Sequence, residues 1–161
     1  MDITSVKTQL KLQSNAIVAL AKGLTPEQVR WKPDQENWSV MEVLNHLVDE
    51  EINDFRKYLN HTLLPVEESL EGDKQFNEQD LDETLAVFKT EREKSIAWLG
   101  TLVEPDWESK ITFSWGTLTA GDMLVSWLAH DLLHMRQLVE LQYLLNKRAY
   151  EPYSIEYAGK W

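Results

Sequence analysis

The stretch TAGDMLVSWLAHDLLHMRQLVELQYLLNK, residues 119–147, decides the fold. Its apolar residues recur every three or four positions, which is the period of one buried helix face. Thr119 and Asp122 have the form of a capping box, in which two side chains satisfy backbone N–H groups of the first turn. Lys147 lies at the other end, where the helix dipole favours positive charge. The stretch therefore predicts a long helix with one face in a core.

Three more helices are predicted upstream, and the same periodicity supports each of them. They cover about residues 2–22, 39–62 and 80–102. The second opens with another capping box, Ser39 and Glu42. Between Ile111 and Trp115 apolar and polar residues alternate, which indicates a short extended segment that turns at Trp115 and Gly116. Four long helices with almost no strand signal predict an all-α four-helix bundle, formed by one domain over residues 1–161.

Composition excludes several classes of protein. The chain has 161 residues, no cysteine and a net charge of −11, of which residues 66–83 carry −7 through eight acids and one lysine. Without cysteine the chain has no disulfide, thiolate ligand or cysteine nucleophile of its own. The negative charge, with no basic patch, argues against nucleic acid as a partner. We also expect no signal peptide and no membrane span, and hence a cytoplasmic protein.

The histidines suggest a metal site. His130 and His134 are four residues apart on the apolar face of the last helix, about 40° apart around its axis and ~6 Å along it. His46 lies beside the apolar stripe of the second helix. Three imidazoles with further coordination positions open are typical of a catalytic divalent site. The alternative is that inward histidines are hydrogen-bonded core residues. His61, near a helix end, is expected at the surface.

Two other metal sites fit the sequence less well. His130-Asp131-Leu-Leu-His134 resembles the H-E-x-x-H motif, but a metallopeptidase needs the glutamate as its base and a third ligand downstream. A di-iron bundle needs Glu-x-x-His on two helices, whereas this chain has only Asp131-x-x-His134, once.

Two motifs resemble the DinB/YfiT-like family of four-helix bundles. Trp38-Ser-Val-Met-Glu-Val-Leu-Asn-His46-Leu is similar to the segment W-S-x-x-E-x-L-x-H-L that opens the family's second helix. His130-Asp-Leu-Leu-His134-Met-Arg-Gln137 is similar to H-x-x-x-H-x-x-Q on its last helix. The resemblance implies an up-down-down-up bundle, a homodimer, and a divalent ion, zinc or nickel, held by His46, His130 and His134.

The resemblance also implies a function. Family members with known activity are thiol-dependent transferases or isomerases that use bacillithiol, mycothiol or glutathione. The leading hypothesis is therefore a metal-dependent transferase acting on a small-molecule substrate with such a thiol as cosubstrate. The alternatives are a metal-dependent hydrolase and a non-catalytic, metal-binding dimer.

Several residues are candidates for supporting roles around the ion. Glu50, one turn after His46, is the first candidate for orienting an imidazole through its second nitrogen. The other candidates for that role are Asp49, Asp131 and Gln137. Trp127 and Trp115 are candidates for the pocket wall, although Trp127 fits the core equally well. The aromatic tail, from Tyr150 to Trp161, is expected to cover the site or to form a dimer contact.

Overall fold

The computed structural model describes residues 1–64, 77 and 79–159. Its helices are α1 (Ile3–Ala21), α2 (Pro26–Arg30), α3 (Val40–Asp49), α4 (Arg56–Leu63), α5 (Leu81–Leu99) and α6 (Ala120–Ala149). A π-helical segment, Glu50–Phe55, joins α3 to α4 without a break, so that these pieces form one long bundle helix. The four predicted helices are confirmed, with ends within a few residues of those expected. Most of the acidic stretch 66–83 lies outside the described residues.

Both predicted capping boxes are present. The Ser39 side chain accepts a hydrogen bond from the Glu42 backbone N–H, and the Glu42 carboxylate accepts one from the Ser39 N–H at 2.7 Å. Thr119 and Asp122 repeat this arrangement at the start of α6. These contacts fix where the two helices begin, and these are the two helices that carry His46, His130 and His134.

Two apolar clusters give the direction of each bundle helix. The first contains Ile17, Ala21, Val43, Leu44, Leu85, Phe88, Leu138 and Leu141. The second contains Val6, Leu10, Phe55, Leu59, Leu99, Met123, Leu124 and Trp127. α1 and α6 therefore run from the second cluster to the first, whereas α3–α4 and α5 run from the first to the second. This is the up-down-down-up topology that the resemblance implied.

A layer of buried charge divides the two clusters. It consists of Glu51, Arg92 and Asp131, which are all buried. Along each helix these residues fall between members of the two apolar clusters, for example Arg92 between Phe88 and Leu99. The core of the bundle is therefore apolar at both ends and ionic in the middle.

The predicted extended segment is one half of a β-hairpin. Strands β1 (Lys110–Phe113) and β2 (Gly116–Thr119) pair antiparallel, with Ile111 opposite Leu118, and turn at Ser114 and Trp115. Phe113 lies edge-on to Tyr58 of α4, with ring centroids 4.9 Å apart. The hairpin thus closes the second apolar cluster and leads directly into α6. Among the described residues, no helix is long and apolar enough to cross a membrane.

The π-helical segment is the one departure from the predicted second helix. The sequence predicts an unbroken α-helix to about residue 62, but Glu50–Phe55 form a wider turn. Neither proline nor glycine occurs there, so the local sequence gives no sign of it. The wide turn holds Glu51 against Arg92 in the ionic layer, with a hydrogen bond of 2.9 Å. Short π segments of this kind are frequent at functional sites.

Candidate metal centre

The structure brings His46, His130 and His134 together halfway along the bundle. His46 lies in the last turn of α3, and the other two lie one turn apart on the facing side of α6. The Nε2 atom of His130 is 3.1 Å from Nε2 of His46 and 3.2 Å from Nε2 of His134. All three side chains are half-buried, and their ligand atoms lie within 4.8 Å of one another. His61 is exposed on α4, as predicted.

The spacing of these nitrogen atoms fits a divalent ion. Imidazole nitrogens at 2.0–2.1 Å from a tetrahedral zinc ion lie about 3.4 Å apart, close to the two separations in the structure. The single Nε2–H of His130 can donate to His46 or to His134 but not to both. Hydrogen bonding alone therefore leaves two nitrogen atoms in close contact without a proton between them. A cation between the three lone pairs satisfies all of them, and imidazole suits zinc, nickel, copper and iron alike.

The electrostatics of the site keep the imidazoles neutral. Burial lowers the pKa of His46 and His134, and burial together with the two neighbouring imidazoles lowers the pKa of His130 to about 3. Arg92 acts on His130 in the same direction. Neutral rings offer the lone pairs that a metal ion needs, so the site is ready to bind near pH 7 without first losing protons.

Two of the candidate orienting residues lie beside the imidazoles. Oε1 of Gln137 is 2.9 Å from Nδ1 of His134, where it accepts the N–H and leaves Nε2 with its lone pair. Oε1 of Glu50 lies 3.7 Å from Nδ1 of His46. Burial, and then the nearby Asp54 carboxylate, raise the pKa of Glu50 to about 7. The near contact of Glu50 is to Nδ1, whereas the imidazoles converge through Nε2, which suits an orienting role better than that of a base at the ion.

The other two candidates have different partners. Asp131 turns into the ionic layer, where its carboxylate is bound by Arg92 at 2.5 and 3.0 Å. The Asp49 carboxylate accepts a hydrogen bond from Asn53 at 2.7 Å. Nδ1 of His130 is buried and makes no hydrogen bond within the described parts of the chain. This third imidazole is therefore held by packing and by the position of α6.

Aromatic side chains surround the imidazoles. The Trp38 ring is parallel to that of His134 at 6.1 Å and edge-on to that of His46 at 5.0 Å. Phe55, at the end of the π segment, lies edge-on to His130 at 5.2 Å and stacks on Trp127. The sequence does not predict Trp38 or Phe55 at the site. For Trp38 the available signal was its position directly before the capping box that starts α3.

The two tryptophans that the sequence offered as pocket walls have other positions. Trp127 is 1% exposed and belongs to the second apolar cluster, where it stacks on Phe55. Trp115 is 71% exposed at the hairpin turn and stacks on Phe113. In the tail, the backbone carbonyl of Gly159 accepts a hydrogen bond from Tyr143, about 13 Å along α6 from His134. Trp161 lies outside the described residues.

Comparison with known proteins identifies the family. The family model of the DinB superfamily matches residues 9–138. The chain belongs to the DinB superfamily. A comparison with curated proteins yields no match.

A solved structure with the same fold is YfiT from Bacillus subtilis. The TM-score is 0.70 at 17% sequence identity, over 89% of this chain and 87% of that chain. YfiT is described as a probable metal-dependent hydrolase with an unusual four-helix bundle topology. At this level of identity the likeness establishes the fold, and the bundle topology agrees with the direction of the helices described above.

Proposed function

We propose that this protein is a metal-dependent enzyme in which His46, His130 and His134 hold one divalent ion, zinc or nickel. The convergence of three Nε2 atoms, at 3.1 and 3.2 Å from the central one, carries the proposal. Three protein ligands leave a coordination position for a substrate, which distinguishes a catalytic site from a structural one. When bound, such an ion acts as a Lewis acid that stabilises the anion of a thiol or of a water molecule.

The reaction we propose is transfer of a low-molecular-weight thiol, of the bacillithiol, mycothiol or glutathione type, to a small electrophile. The thiol loses its proton to solvent, its sulfur forms a bond to the electrophilic carbon, and the leaving group departs with the bonding electrons. Three neutral imidazoles leave the charge of the ion uncompensated, which favours an anionic sulfur ligand. The chain has no cysteine, so the thiol has to come from outside.

In this proposal the protein's own residues position and shield the reacting groups. Gln137 fixes the tautomer of His134, and Glu50 faces Nδ1 of His46. Trp38, which is 39% exposed, presents an aromatic surface beside the two imidazoles, where an apolar part of the substrate can pack. Phe55 closes the other side against His130 and keeps water out of the core.

Metal content tests the first part of the proposal. Protein purified without a polyhistidine tag is analysed for zinc and nickel beside His130→Ala and the control His61→Ala. We expect close to one ion per chain in the parent and in the control, and loss of the ion in His130→Ala. Substoichiometric metal in all three would falsify the three-histidine site.

Thiol dependence tests the reaction. The metal-loaded protein is incubated with each of the three thiols and 1-chloro-2,4-dinitrobenzene, and the rate is compared with that of free metal plus thiol. A protein-dependent rate with at least one thiol, absent in His130→Ala, is expected. No rate above free metal with any of them would count against the transferase.

Hydrolysis is the second candidate. The description of YfiT as a probable metal-dependent hydrolase favours it, and the same three imidazoles suit activation of water. It predicts cleavage of p-nitrophenyl acetate by the metal-loaded protein without added thiol. Activity of that kind, lost in His130→Ala, would replace the transferase as the proposed function. If neither reaction occurs although the ion is bound, the third reading, a non-catalytic metal-binding dimer, takes its place.

We further propose that the protein forms a homodimer through the exposed side of α6. Val125, Leu132 and Val139 are exposed and recur every seven residues, so they form one apolar stripe on that helix. Light scattering is expected to give twice the chain mass for the parent and the monomer mass for Leu132→Glu. A parent that remains a monomer at high micromolar concentration would contradict this assembly.

A further inference from the structure

The guanidinium group of Arg92 contacts all four helices of the bundle. It is carried by α5, and its Nε and Nη2 atoms lie 2.9 and 2.8 Å from Oε2 of Glu51 in the π segment. Nη1 and Nη2 bind the two carboxylate oxygens of Asp131 on α6 at 2.5 and 3.0 Å. Nη1 also lies 3.4 Å from the carbonyl oxygen of Leu10 on α1. The Arg92 side chain therefore links all four helices at the centre of the bundle.

These charges are fully removed from water. Arg92 and Asp131 are each 1% exposed and Glu51 is 0% exposed. The guanidinium carbon lies 5.2 Å from the ring centroid of Phe88 and 5.6 Å from that of Trp127, so two aromatic rings pack against the guanidinium group. Burial alone favours neutral Arg92, but the carboxylates of Glu51 and Asp131 outweigh it and raise the pKa of Arg92 above its usual range. The arginine therefore stays charged.

Stability alone gives little reason for such a group. Replacing a buried ion network by well-packed apolar residues is often neutral or stabilising, because the desolvation of the charges offsets their attraction. Apolar side chains at all three positions, 51, 92 and 131, would join the two apolar clusters above and below them. The position of the network relative to the imidazoles offers a different reason.

Both carboxylates of the network belong to the segments that carry the imidazoles. Asp131 follows His130 directly, and Glu51 lies five residues after His46, next to Glu50. His130 has the greatest need of support, since its Nδ1 finds no hydrogen-bond partner within the described residues. The rotation of α6 about its axis therefore determines where the His130 ring points, and the two-pronged contact between Arg92 and Asp131 fixes that rotation.

We propose that Arg92 is a positioning residue for the metal centre. Through Asp131 it holds the turn of α6 that carries His130, and through Glu51 it holds the π segment that follows His46. Together these contacts set the separation of the two ligand-bearing helices at which three Nε2 atoms share one ion. The inference rests on the proposed metal binding and adds the residue that sets its geometry.

The test is zinc affinity in variants that alter the network without leaving an unpaired buried charge. Arg92→Lys keeps the charge but loses the planar fork, and the triple variant Glu51→Gln, Arg92→Met, Asp131→Asn removes all three charges together. Arg56→Lys is the matched control: Arg56 is also buried, it is ion-paired with Glu91 and donates a hydrogen bond to Ser95, and it makes no direct contact with Asp131 or Glu51. Affinity is measured by competition with a chromophoric chelator, and cobalt(II) absorption reports the coordination geometry.

We expect zinc binding to weaken by about tenfold or more in Arg92→Lys and in the triple variant, with altered cobalt(II) bands, and to stay within about twofold in Arg56→Lys. The rise in Tm on adding zinc gives the same comparison for any variant too unstable for titration. Parent-like affinity, bands and Tm rise in both network variants would overturn the positioning role. A parent that binds no zinc would instead remove the proposed function itself, so the two failures are distinct.

Discussion

Oε1 of Gln137 lies 2.9 Å from Nδ1 of His134, one turn further along α6. An amide oxygen is an acceptor only, so the contact requires the proton on Nδ1 and leaves Nε2 free to bind a metal ion. Outer partners of this kind orient a ligand ring and raise its basicity.

Gln137→Leu is therefore expected to weaken zinc binding by about tenfold, since the ring of His134 loses its partner and its preferred tautomer. Chelator competition at constant pH measures the effect. Gln9→Leu, on the exposed side of α1, is the control and should bind like the parent. Equal affinity in the two variants would show that packing alone orients His134.

Trp38→Ala is expected to weaken zinc binding by several-fold and to leave the fold intact. The indole contacts two imidazoles, at 5.0 and 6.1 Å between ring centroids, and its removal lets both rings turn more freely. Trp115→Ala is the matched control, because that indole is 71% exposed and stacks only on Phe113 among its aromatic contacts in the described chain. The prediction is wrong if both variants bind zinc alike.

Metal-free protein is expected to lose stability as the pH falls from about 6.5 through 5. The folded-state pKa of His130 is about 3, below its ordinary value of 6.5, so in this window the unfolded chain binds more protons than the folded one. As the pH falls, the free energy of unfolding of the metal-free protein therefore decreases. His130 contributes up to about 1.4 kcal/mol of this decrease per pH unit. His46 and His134 act in the same direction.

Urea unfolding in a chelator at several pH values measures this slope. The difference between the slopes of the parent and of His130→Ala gives the contribution of His130. Glu50, whose raised pKa acts in the opposite direction, titrates in both proteins, so its contribution cancels. A slope that does not change on removal of His130 would mean that this ring is protonated normally in the folded chain.

Trp127→Ala is expected to lower the free energy of unfolding by about 3–5 kcal/mol. The indole is 1% exposed, stacks on Phe55 and contacts the Arg92 guanidinium, so truncation leaves a cavity beside the ionic layer. Denaturant unfolding gives the value, and Val103→Ala, at an 87% exposed position, should change it by less than about 0.5 kcal/mol. A loss below about 1 kcal/mol for Trp127→Ala would mean that the site collapses on truncation.

The bundle and the imidazole cluster are predictable because their signals are local. The capping boxes at Ser39 and Thr119 and the four-residue spacing of His130 and His134 depend only on helix geometry, and the structure confirms the helices they imply. The resemblance to the DinB/YfiT-like family supplied the topology. The metal-ligand role of the three histidines stays a prediction.

The ionic layer is not predicted from the sequence, because neither Arg92 nor Glu51 belongs to the histidine motifs. Arg92 continues the apolar series Leu85 and Phe88 at a step of four, and Glu51 follows Leu47 in the same way. A charged residue at a core position of a predicted helix was the available signal. The π segment had no such signal, since its wide turn depends on contacts with α5 that are distant in sequence.

The ionic layer also restricts how the helices can be shifted along one another. In a purely apolar seam of Leu, Val and Phe, a slide of one helical turn, about 5.4 Å, buries no unpaired charge. Here the same slide of α5 would carry the guanidinium of Arg92 into an apolar cluster and leave the carboxylates of Glu51 and Asp131 without a cationic partner. An unpaired buried charge costs several kcal/mol, which is comparable to the whole stability of a domain this size. The layer thus selects one register among those that an apolar core alone would permit.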